Sequence, residues 1–74
     1  MSERAHALDA LLLDAHEAGD HRALIGLYSK AAQQAKTQEA ACFYLTHAYI
    51  FALEQGDPRA VSLHQDLKSR GREE

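Results

Sequence analysis

The 74-residue chain has no tryptophan, no asparagine, one proline and one cysteine. Each scarcity excludes something. Without Asn, and with few β-branched residues, the usual hairpin turns and strand formers are missing, which argues against a sheet. The single Cys42 has no intramolecular disulfide partner, and its place inside an apolar stretch reads as a small buried hydrophobe suited to a reducing compartment. No stretch reaches the ~18 uninterrupted apolar residues of a membrane span. The opening MSERAHALD lacks the apolar run of a signal peptide. The expectation is a cytoplasmic protein with no membrane partner. Cations are few as well: 8 Lys and Arg stand against 11 Asp and Glu, for a net charge of −3. A phosphate-binding surface needs clustered Lys and Arg, so nucleic acid is not an expected partner.

What remains is rich in Ala, Leu, Glu, Gln and Arg, all good helix formers. An all-α fold follows, as one domain over residues 1–74. That length is close to the lower limit at which a core alone stabilises a fold. Extra burial against a second copy or a partner is therefore expected.

Glycine and aspartate punctuate the helices. The first, about residues 3–18, has Ser2 as its cap, an apolar stripe of Leu8, Leu11, Leu12, Ala15 and Ala18, and Gly19 as its stop. Asp20 caps a second helix, about 21–35, with apolar positions Ala23, Leu24, Leu27, Tyr28, Ala31 and Ala35. Gly26 lies inside it and marks either a close helix crossing or a surface position. Thr37 caps the third, about 38–55, in which only Thr46 and His47 are clearly polar between Ala40 and Leu53. Gly56-Asp57-Pro58 ends it and opens the fourth, about 58–70, which is expected to bury Ala60, Val61, Leu63 and Leu67. Residues 71–74 read as a tail. Helices joined by such short turns are antiparallel neighbours.

A shift of 37 residues aligns the chain with itself: Leu8 with Leu45, Ala15 with Ala52, Glu17 with Glu54, Gly19 with Gly56, Asp20 with Asp57, Arg22 with Arg59 and Ala23 with Ala60. A period in the 30s with one helical hairpin per unit is the mark of a helical solenoid. Here the chain resembles the tetratricopeptide repeat family, in degenerate form. Leu8, Leu11, Gly19, Asp20, Tyr28 and Ala31 carry the resemblance in the first unit (about 3–36). Tyr44, Ala48, Phe51, Gly56, Asp57, Ala60 and Leu67 carry it in the second (about 38–70). Leu12 stands where that family has a small residue, His64 where it has an aromatic, and the closing Pro is absent from both units.

The resemblance implies two stacked hairpins whose first helices line a concave face. His6 would then pair with Phe43, Asp9 with Thr46, Ala10 with His47 and Leu13 with Ile50, giving a groove or interface of His6, Asp9, Leu13, Phe43, His47 and Ile50. Family members that grip a partner's C-terminal carboxylate use Asn and Lys there. This face has neither, and an apolar or basic helical partner suits it better.

Catalytic constellations are missing. Cys42 and His47 are off-register on one helix, and no glycine-rich phosphate loop occurs. No enzyme activity and no cofactor are expected. The five His lack the tight spacings of a zinc site and read as solvated helix-surface side chains. The function expected is non-enzymatic protein–protein contact, with a partner protein or peptide, as an accessory subunit, or with itself as a homo-oligomer. The alternative is a small His-based metal- or ligand-binding bundle drawing on His6, Asp9, His16, His21 and His47.

Overall fold

The computed structural model describes residues 3–71 and the side chains of residues 7–71. Among them are four helices and no strand: α1 (Glu3–Ala18), α2 (His21–Gln34), α3 (Gln38–Gln55) and α4 (Arg59–Ser69). The fold is all-α, with every boundary within a residue of its expected place. The expected Ser2 cap and residues 72–74 of the tail lie outside the described residues.

Each helix reverses on the one before it. α1 packs on α2, α2 on α3 and α3 on α4, and the α2–α3 contact is the broadest. Side chains record the antiparallel order: His21 at the start of α2 meets Glu54 at the end of α3, and Arg70 after α4 donates to Gln38 at the start of α3. The body is flattened, 35 × 27 × 13 Å.

The sequence repeat is also a repeat of backbone geometry. Gly19 and Gly56 take left-handed φ values of 67° and 63°. In both turns the following Asp amide donates to the carbonyl of Ala15 or Ala52 at 2.9 Å. That bond closes a helix end only when the residue before it adopts positive φ, which glycine does without a Cβ clash. Beyond this point the junctions diverge. Asp20 accepts from the Ala23 amide and caps α2. Asp57 is followed by Pro58, and its carboxylate accepts from the Arg59 guanidinium at 2.9 and 3.0 Å and from the Arg59 amide at 2.9 Å. The guanidinium bonds first, and the amide bond second, hold the Asp57 carboxyl down at about 2.

The core joins α2, α3 and α4: Ile25 and Ala32, then Cys42, Leu45, Ala48 and Ala52, then Leu63 and Leu67. Leu8 and Ala15 of α1 are buried separately, on α2. The periodic stripe expected on α2 omitted Ile25 and Ala32. A helix with a neighbour on each side buries two stripes, and Leu24 with Ala31 forms the other. The end helices show the opposite error. Leu11 on α1 and Val61 on α4 were expected inside and are exposed. A helix with one neighbour covers only a narrow stripe. Gly26 is a surface position and not a close crossing: a Cβ there would meet only the Arg59 guanidinium, at 3.5 Å.

Candidate functional site

Two sides of α3 are covered by α2 and α4, and a third is bare. Along it Glu39, Phe43, Thr46, Ile50 and Leu53 are all exposed, Phe43 at 58% and Leu53 at 56%. Steps of four, three, four and three residues keep side chains in one line down a helix. Fourteen steps from Glu39 to Leu53 at ~1.5 Å each make that line about 21 Å long. Its upper part opens into a shallow depression of about 460 Å³ lined by Glu39, Cys42, Phe43, Thr46 and His47. Thr46 on its wall donates to the Cys42 carbonyl, and beyond it the Thr37 hydroxyl caps α3 by accepting from the Ala40 amide.

A row of rings seals the border between this side and α2. Tyr28 of α2 is its centre. His47 stacks on it at 5.1 Å and Phe51 at 6.0 Å between centroids, and the His16 ring meets it edge-on at 5.8 Å. His16 Nε2 and the Tyr28 hydroxyl are hydrogen-bonded at 2.8 Å. Burial, and then the neighbouring Tyr44, push the Tyr28 phenol above its ordinary value. Phe43 packs on His47 at 4.5 Å, and His21 packs on Phe51 at 5.1 Å while standing 3.9 Å from Glu54. His47 Nδ1–H donates to the Phe43 carbonyl at 2.9 Å; since a carbonyl only accepts, that nitrogen carries the proton. On the other flank His64 stacks on Tyr49 at 5.4 Å. Four of the five His thus pack against rings; His47 and His64 are half-buried, which corrects the reading of those two as solvated, while His16 and His21 are exposed as expected. Among the described residues no three His, Cys, Asp or Glu are gathered to hold a metal ion.

The residues expected to form the groove fall in separate places. Phe43 and Ile50 are exposed on the bare side of α3, and His47 is half-buried between Phe43 and Tyr28. Leu13 is exposed on α1. Asp9 lines a crevice with Leu8, Leu12, Ala31 and Tyr44. Among the described residues the backbones of α1 and α3 do not approach each other, and the His16 ring of α1 meets Phe51 of α3 edge-on at 6.1 Å. The His6 side chain lies outside the described residues. Sequence reasoning paired Thr46 with Asp9 on this face but missed Glu39 and Leu53, although their spacing relative to Phe43 and Ile50 was readable. It also missed Tyr28 as the hub of the ring row, because that role depends on how two helices meet.

Among the described residues no helix is long and apolar enough to cross a membrane. No protein-family model, curated protein or solved structure matches the chain.

Proposed function

We propose that this chain is a non-enzymatic module for protein–protein contact and that the line from Glu39 to Leu53 on α3 is its contact surface. The observation that carries the reading is the exposure of Phe43, Ile50 and Leu53 on one side of the helix whose other sides form the core. Three large apolar groups in line are a costly surface for a small domain to leave in water. The two hairpins, about 3–36 and 38–70, are read as degenerate tetratricopeptide-like units, a reading supported by their matched glycine turns. A cytoplasmic setting suits the unpaired, buried Cys42.

Substitution of Phe43 tests the proposal. Phe43→Glu is expected to keep the helical circular dichroism of the parent and to abolish association. Association is read by sedimentation of the chain alone and by selection of binding peptides on the immobilised chain. If parent and variant behave alike in both measurements, the surface is not the one proposed.

A further inference from the structure

We infer that the occupant of this surface is a single amphipathic helix of another polypeptide, about four turns long, with Lys or Arg at both ends of its apolar stripe. The inference rests on the contact surface proposed above and names what binds there. Three observations converge on it.

The first is spacing. Glu39, Phe43, Thr46, Ile50 and Leu53 repeat at alternating steps of four and three, all exposed. This is the seam along which one helix receives the side chains of another, knobs into holes. An extended strand, with its two-residue period, has no matching register.

The second is size. Three half-exposed apolar side chains offer far less than the roughly 800 Å² per partner of a standard interface between folded proteins. One helix is covered by such a line, whereas a second globular surface is not.

The third is charge. α3 has no Lys or Arg. Glu39 begins the line, and Glu54 stands beside Leu53 at its far end with 55% of its side chain exposed. The apolar middle therefore lies between two carboxylates about 22 Å apart along the axis. A second copy fits this badly. Paired in parallel, Glu39 faces the Glu39 of the other chain; paired antiparallel, it comes to the end that holds the exposed Glu54. A helix with cations about 15 residues apart meets both carboxylates and leaves the seam for packing.

The test uses the full chain and a displayed library of helices as long as α3, 18 residues, with a fixed leucine seam and randomised flanks. Selection on the immobilised chain is expected to enrich Lys and Arg at both ends. Fluorescence anisotropy should then give a Kd about three- to tenfold lower for a Lys-flanked peptide than for its Glu-flanked twin, narrowing as salt is raised. The Glu39→Lys/Glu54→Lys chain should reverse that preference while Phe43→Glu binds neither peptide. Enrichment without a basic bias would overturn the charge inference and leave the contact surface standing. A dimer in sedimentation that Phe43→Glu dissociates would replace the helix by a second copy, again leaving the surface. No enrichment over the Phe43→Glu chain, with both chains monomeric, would remove the surface itself.

Discussion

The two long sides of α3 are both apolar, and they have opposite fates. One carries Ala41, Leu45, Ala48 and Ala52 and is buried; the other carries Phe43, Ile50 and Leu53 and faces water. Small side chains predominate on the buried side, where Leu45 is the one large aliphatic among them, and large ones stand outside. Helix axes approach to about 8–10 Å, and the lower end of that range needs small side chains at the contact. The alanines let α2 and α4 close on α3, where Ile25, Leu63 and Leu67 fill the space they leave. The larger side chains on the far side have no helix of their own chain to meet.

The contrast is broken most severely by a charge on each side in turn. Leu45→Glu places a carboxylate at a position 3% exposed and should cost about 4 kcal/mol or more, enough to unfold a domain of this size. Phe43→Glu should cost under about 1 kcal/mol. Circular dichroism and urea melts distinguish the two, and equal losses would mean that Phe43 is a core residue. Truncation gives a finer measure. Leu67→Ala, at a fully buried site facing α3, should lose about 2–5 kcal/mol, against roughly 0.5 kcal/mol or less for Leu53→Ala.

A smaller effect extends the comparison to α2. Gly26 is exposed on its outer side, so Gly26→Ala should stabilise the chain by up to about 1 kcal/mol through helix propensity and raise Tm. A loss of stability would point to a close approach at that helix after all.

The smallest effect concerns the turn that ends both sides of α3. Asp57 titrates at about 2 in the folded chain against an ordinary 3.8, so its bonds to Arg59 contribute fully above 3.8. That contribution is lost as pH falls through the folded value. Asp57→Asn should therefore flatten the acid limb of a stability–pH curve between 3.8 and about 2 and leave its neutral region nearly unchanged in shape. An unaltered acid limb would place the acid sensitivity elsewhere.

Much of the fold was legible because its punctuation is local. Gly19, Gly56, Asp20 and Thr37 act on backbone groups within a few residues of themselves, and the structure has those bonds in place. The candidate surface was legible in part. Phe43 and Ile50 were named from the repeat, and both are exposed. Their continuation to Glu39 and Leu53 was missed, although both lie at the same steps of four and three along the helix.

The misplaced core residues share one cause. Leu11, Val61 and Ile25 each sit on a helix whose number of neighbours decides how wide a stripe is covered, and no local pattern carries that number. His47 was misjudged for a related reason. Whether it stands in water or packs against a ring depends on Tyr28, which comes from another helix.

The amino-acid sequence by itself determined four helices, their ends and their antiparallel order, because propensity, capping and short turns all act within one or two turns of chain. Tertiary structure alone decided which apolar side of α3 is interior and which is left exposed. That choice depends on which side chains let α2 and α4 approach and which fill the space between them, and it exists only once three helices are brought together.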